Sequence, residues 1–213
     1  MSSMEQSSFA TLPQEQGEET KKQASFLDPR LIVAQLEISL RDRVADFGAG
    51  HGYFTIPLAQ KVGPEGKVYG IDIQKEALSV IRAKAQLHHL FHIEYVQGDL
   101  EQFGGSKLKD ENVDWVVICN LLFQLERKRI ALEEAYRILR KGGHIVIIEW
   151  DIPEEHMHTA IPFGPPPPTR ISSSSLTQML RETGFTVEEK TELAPGAYHY
   201  ACQGQKPLSP ERA

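Results

Sequence analysis

From Arg43 onward, short Val- and Ile-rich runs alternate with segments whose apolar residues recur at helical spacing. That alternation builds a parallel sheet with helices on both faces, because each strand is buried on two sides and each crossover returns through a helix. Strands are expected at Arg43–Phe47, Lys67–Asp72, His92–Gln97, Asp114–Cys119 and His144–Trp150. Two more, Phe185–Lys190 and Tyr198–Gln203, leave no room for a crossover helix between them and should pair as an antiparallel hairpin. The expected architecture is α/β: a Rossmann-like, doubly wound, seven-stranded sheet, mostly parallel with an antiparallel last strand.

The intervening helices show one apolar stripe each, Leu78, Ile81 and Ala85 in one and Leu132, Ala135 and Leu139 in another. Arg140 and Lys141 followed by Gly142 and Gly143 read as a helix end with cations in its last turn and glycine beyond. A final helix should start at a cap on Ser173 or Ser174 and stop at Gly184. Residues 1–25 are rich in Ser, Gln, Glu and Lys and hold too little apolar surface to offset chain entropy, so they read as a disordered tail. One domain over 26–203 and a flexible end over 204–213 complete the expected layout.

The chain holds no apolar run long enough to span a bilayer and no signal-peptide pattern at its start, so the reading is a cytoplasmic protein. Its formal charge of −6 argues against a large basic surface for nucleic acid. Cys119 and Cys202 sit in strand-like apolar surroundings and read as buried thiols, not as a disulfide framework.

The chemistry concentrates after the first strand, in Val44-Ala45-Asp46-Phe47-Gly48-Ala49-Gly50-His51-Gly52, which leads into a helix expected near Thr55 with Pro57 in its first turn. Glycines let backbone approach a ligand, and the helix beyond offers unpaired amides and the positive end of its dipole. A dinucleotide fingerprint would put its third glycine where Tyr53 stands; the GxGxG spacing instead favours the methyl donor S-adenosylmethionine, whose carboxylate suits such a turn. Asp72 closes the second strand, where an open α/β site needs an acid for the ribose hydroxyls. Asp99 follows the third, placed to accept from an adenine amino group with Ile73 and Leu100 on either side of the ring.

With these turns in order, the chain resembles the class I S-adenosylmethionine-dependent methyltransferases, in the branch that includes the ubiquinone and menaquinone C-methyltransferases. The likeness rests on Val44–Phe54, Tyr69–Ile73, Gln97–Leu100, Asp114–Leu125 and Leu139–Glu149. It implies that Asp46, Gly48, Gly50 and Gly52 line the methionine moiety, Asp72 the ribose and Asp99 the adenine, with Asn120 near the sulfonium. It also implies a seven-stranded sheet whose last strand is antiparallel. A nearer resemblance is to bacterial and archaeal methyltransferases that open with Phe-Leu-Asp-Pro, here Phe26–Pro29. That set closes with Gly-Pro, here reversed as Pro195-Gly196, and with His-Tyr, here His199-Tyr200.

On the acceptor side, the long connection Asp151–Arg170 carries Phe163 and four prolines as an apolar wall, with Arg170 as an anion anchor and Tyr53 beside the glycine turn. If the acceptor is a carbon or hydroxyl, a base is needed, and His51 and His199 lead the candidates, ahead of Glu149 and Asp151. His156 and His158 with Glu154 and Glu155 give no defined coordination, so the site reads as metal-free. Two cysteines are too few for arsenite methylation, which in this branch is associated with several. The partner expected is a small molecule, apolar or aromatic. RNA or protein methylation and a cofactor-binding protein without turnover are the alternatives, and the sequence leaves the oligomeric state open.

Overall fold

A computed structural model describes residues 27–151, 164–187 and 198–208. The expected N-terminal tail, Phe163, the histidines at 156 and 158, and Pro195-Gly196 lie outside these residues. The element order is α1 (Pro29–Gln35), β1 (Arg43–Phe47), α2 (Thr55–Val62), β2 (Lys67–Asp72), α3 (Lys75–Leu87), β3 (Ile93–Gln97), β4 (Val113–Cys119), α4 (Lys128–Ile138), β5 (Leu139–Trp150), α5 (Ser173–Thr183), β6 (Thr186–Val187) and β7 (His199–Gln205).

All seven strands join one sheet in the order β3-β2-β1-β4-β5-β7-β6. The first five run parallel, and β7 pairs antiparallel with both β5 and β6, so the expected hairpin forms with its second strand inserted beside β5. The strand order reverses between β1 and β4, which places a crevice at their carboxyl ends. Helices α1–α3 pack on one face over Val44, Val68, Trp115, Val117, Val146 and Ile148. Helices α4 and α5 cover the other, over Phe47, Ile71, Ile118, Ile145 and Ile147.

Ile118, fully buried at the centre of this sheet, gives a direct check on the packing. Ile118→Ala is expected to cost about 2–5 kcal/mol in urea unfolding; a loss below about 1 kcal/mol would show that the centre collapses around the cavity.

Several boundaries differ from those read off the sequence. Helix α4 stops at Ile138, because Leu139 leaves the helical stripe and pairs with Val113 on β4. Residues 140–143 then form an irregularity between the Val113–Leu139 and Trp115–His144 pairs, held by an ion pair from Arg140 to Asp114. The cap of α5 is Ser172, whose Oγ accepts from Ser175 N at 3.1 Å; Gly184 ends that helix in the left-handed region, as expected. Strand β7 continues to Gln205, and the buried Lys206 donates to the carbonyls of Tyr136 and Leu139, so the packed domain runs past Gln203.

Candidate functional site

The carboxyl ends of β1, β2, β3 and β4 open onto one cleft. Its first wall is the turn after β1, where Gly48, Gly50 and Gly52 all have positive φ. Gly48 and Ala49 donate to Ile71 O at 2.9 and 3.0 Å, and Gly50 N donates to Asp72 Oδ2 at 2.8 Å, so the turn is fastened to β2. A Cβ on Gly48 would lie 2.8 Å from Leu121 Cδ1, whereas at Gly50 the nearest atom is 3.9 Å away, leaving open space over the cleft. Gly52 behaves differently. Its missing side chain makes room for Ile81, 3.2 Å away, and it faces α3 and does not line the cleft.

Asp46, 2% exposed, sits beneath the turn and accepts from Thr55 Oγ1 at 2.6 Å. Burial pushes its carboxyl up to about 7, the Thr55 bond pulls the other way, and Asp72 adds to the rise. Asp72 uses its second oxygen, Oδ1, to accept from Gln74 N at 2.8 Å. Asp99 folds its carboxylate into its own turn, accepting from Glu101 N at 3.0 Å and Gln102 Nε2 at 2.8 Å. Each carboxylate oxygen keeps a second lone pair for a ligand donor.

The site consists of two cavities. The larger, about 410 Å³, gathers Asp72, Ile73, Asp99 and Leu100. The smaller, about 220 Å³, gathers Asp46, Tyr53, Phe54 and Cys119 with Leu27 and Pro29 from the chain entering α1. Gly48, Gly50, His51 and Asn120 line both. An elongated molecule with a nucleoside at one end and an amino acid at the other fits such a pair: two acids wait at the first end, and a buried acid and a glycine turn at the second. Asn120, in the left-handed region at φ 52°, has a buried Oδ1 without a hydrogen-bond partner among the described residues at the shared wall, which suits a donor-bearing ligand.

Sequence reasoning missed the wall after β4. Leu121, Gln124 and Leu125 line the larger cavity from a short 3-10 turn over Leu122–Gln124. Glu149, buried at 1% exposure, fastens that wall: its Oε1 accepts from Leu121 N at 3.0 Å and Leu122 N at 2.6 Å. Burial raises its carboxyl to about 7 against those backbone bonds. The available signal was an acid ending the apolar run Ile145–Ile148.

Two acceptor-side expectations, His199 and Arg170, are placed differently, whereas Tyr53 stands beside the glycine turn. His199 lines neither cavity; it packs on Trp150 with centroids 4.2 Å apart and ring planes tilted by 37°, and burial, aided by Arg170, lowers it to about 4, so the imidazole is neutral. Arg170 is buried and donates to Pro165 O at 3.0 Å and Asp151 O at 2.7 Å, a bridge across the start and return of the long connection and not an anchor in either cavity. Tyr53 is 70% exposed at the smaller cavity, with Lys84 Nζ 5.0 Å from its ring centroid. Among the described residues no three His, Cys, Asp or Glu side chains gather in a metal-binding group, and no helix is long and apolar enough to cross a membrane.

The chain is similar to several known methyltransferases. An arsenite methyltransferase from Halobacterium salinarum is 32% identical over 169 residues, covering 72% of this chain and 39% of its own. A demethylmenaquinone methyltransferase from Geobacillus stearothermophilus is 29% identical over 122 residues, 57% of this chain and 51% of its own. The chain thus spans about half or less of the length of these relatives. The crystal structure of a SAM-dependent methyltransferase from Aquifex aeolicus superposes with a TM-score of 0.73 at 25% identity, covering 84% of this chain and 90% of that one. Residues 39–193 match the family described as Methyltransferase domain, and the chain belongs to that family.

Proposed function

We propose that this chain transfers the methyl group of S-adenosylmethionine to a small, largely apolar acceptor. The observation that carries the reading is the pair of cavities meeting at Gly48, Gly50, His51 and Asn120. Asp72 would take the ribose hydroxyls and Asp99, between Ile73 and Leu100, the adenine amino group. The amides after Gly48 and the Asp46 carboxyl would serve the amino-acid end. When bound, the cofactor supplies an electrophilic methyl on a sulfonium, and the chain's task is alignment and exclusion of water. The acceptor atom forms a bond to the methyl carbon as the sulfur–carbon bond breaks, its electron pair leaving with sulfur. A proton lost by the acceptor would pass to His51, which faces both cavities; His199 and Glu149 do not.

The relatives act on two chemically different acceptors, and the cysteines bear on the choice. Cys119 packs beneath α1–α3 and Cys202 beneath α4 and α5, on opposite faces of the sheet. They do not offer a joint thiolate pair to a thiophilic arsenic, and burial, with Asp46 and Glu149 adding to it, pushes the Cys119 thiol well above its usual range. An apolar, quinol-like acceptor is favoured. RNA or protein is disfavoured because the described cavity walls carry Asp46, Asp72, Asp99 and Glu101 and no Lys or Arg.

Calorimetric titration with S-adenosylmethionine and S-adenosylhomocysteine, with NAD as control, tests the cofactor, and a screen of quinols and phenols with labelled donor tests the acceptor. Micromolar binding followed by label transfer supports the reading; preference for NAD, or transfer only to RNA or protein, overturns it.

The charge on Asp46 gives a second test. Below about 7 the buried carboxyl is neutral and above it ionised, so attraction for a sulfonium cation should appear as pH rises from 6 to 8. Affinity for S-adenosylmethionine relative to the uncharged thioether product is expected to grow several-fold over that interval. Because the folded-state value is raised, the unliganded protein's stability from this group is present at low pH and is lost as pH rises through about 7. A flat affinity ratio would place the Asp46 charge away from the ligand.

A further inference from the structure

We propose that Glu134 is a positioning residue for the adenine end of the site, fixing from α4 the loop that carries Asp99 and Leu100. The inference rests on the adenine reading of that loop. Glu134 stands in the middle of a helix, fully buried, where a carboxylate persists only if its oxygens are occupied. They are: it accepts from Gly104 N and Ser106 N, both at 3.0 Å, from Ser106 Oγ, and from Arg137 Nε at 2.9 Å and a terminal Arg137 nitrogen at 2.7 Å.

The amides it holds close a loop that begins at Asp99. Gln102 N donates to Asp99 O at 3.1 Å and Gly105 N to Gln102 O at 3.0 Å. The start of the loop is fastened to the same helix, since Glu101 Oε1 accepts from Arg127 N, the amide that precedes α4, at 2.6 Å. Arg137 continues the brace to Leu108 O at 2.8 Å and to Asp110. Helix α4 thus grips the segment between Asp99 and Asp110 at both ends. Burial opposes the Glu134 charge, but the bonds from Arg137 and Ser106 outweigh it and hold the carboxyl below its usual range.

Replacing Glu134 by glutamine keeps the shape but turns one acceptor into a donor facing an amide donor, which pushes the loop away. The readout is base discrimination: the affinity for S-adenosylhomocysteine divided by that for its inosine counterpart, whose exocyclic amino group is replaced by a carbonyl oxygen. In the parent, an Asp99 carboxylate that accepts from the amino group and repels the carbonyl should give a ratio of about tenfold or more. Glu134→Gln is expected to bring the ratio to within about twofold of unity, and Ser106→Ala to lower it in the same direction. A parental ratio in both variants, whatever their melting temperatures, would show that Glu134 only stabilises the fold and would overturn the proposal. If Glu134→Gln does not fold, the Ser106→Ala ratio decides. Asp99→Ala separates the two levels: a ratio it leaves unchanged overturns the adenine reading and this inference together, whereas a ratio lost in Asp99→Ala and kept in Glu134→Gln and Ser106→Ala overturns this inference alone.

Discussion

Asp72→Ala is expected to weaken S-adenosylhomocysteine binding by about 100-fold or more while the chain still unfolds in one cooperative step. The carboxylate at the end of β2 has two occupations before any ligand arrives: Oδ2 holds Gly50 N and Oδ1 holds Gln74 N, both at 2.8 Å. Gly50 is the position where the turn leaves open space over the cleft, so the side chain that would receive the ribose also sets the height of the glycine turn. A hydrogen bond to a charged group contributes about 1.5–3 kcal/mol. Losing a ribose contact of that kind along with the fastened turn therefore reaches about 2.7 kcal/mol, which is 100-fold. Asp72→Asn should fall between, since its carbonyl can keep one amide while its NH2 opposes the other. Calorimetry on the three proteins checks this; affinity within about threefold of the parent in Asp72→Ala would remove Asp72 from the ligand site.

The same residue shows how far the sequence reaches. An acid closing the second strand of an α/β alternation is legible because strand ends are set by local pattern, and β1 and β2 begin and end where the Val and Ile runs do. Asp99 is legible for the same reason. What escaped depends on partners far along the chain. Leu139 continues the helical stripe of α4 in sequence, yet pairing with Val113 draws it into β5. Gly52 reads as one of three equivalent glycines, but Ile81, 29 positions later in the sequence, occupies the side it leaves free. Arg170 reads as an anion anchor until the carbonyls of Asp151 and Pro165 take its guanidinium. Glu134 stands three residues before Arg137 on α4, and it is the loop about 30 residues upstream that makes Glu134 a buried clamp. In each case the local chemistry is ambiguous and a contact of long sequence separation decides it.

Gly105 is where the loop's own backbone leaves the least room, and Gly105→Ala carries the largest expected effect on the adenine loop. An added Cβ would stand 1.7 Å from Asp99 O and 2.8 Å from Gln102 O, and the mirror position is as tight, with a Cβ on Gly98 lying 2.1 Å from Gly105 O. These are backbone atoms, so no rotamer change relieves the overlap; the loop itself has to open. The strain is one of space, because Gly105, unlike Gly104, is not among the residues at positive φ. Opening the loop moves Asp99, whose carbonyl is struck directly, and strains the Gly104 and Ser106 amides held by Glu134. Overpacking of this kind costs about 1–3 kcal/mol, a fall of roughly 2–10 °C in Tm for a chain of this length, and S-adenosylhomocysteine affinity is expected to drop by about 30-fold or more as Asp99 and Leu100 leave the cavity. Gly104→Ala is the matched control: a Cβ there meets nothing within 4 Å, so it pays only for its left-handed φ of 73°, about 1 kcal/mol, with little change in affinity. Thermal unfolding and titration of both variants separate strain from position. A Gly105→Ala protein that melts lower but binds as the parent would mean that the ligand does not use this loop, and the adenine would have to lie elsewhere in the cleft.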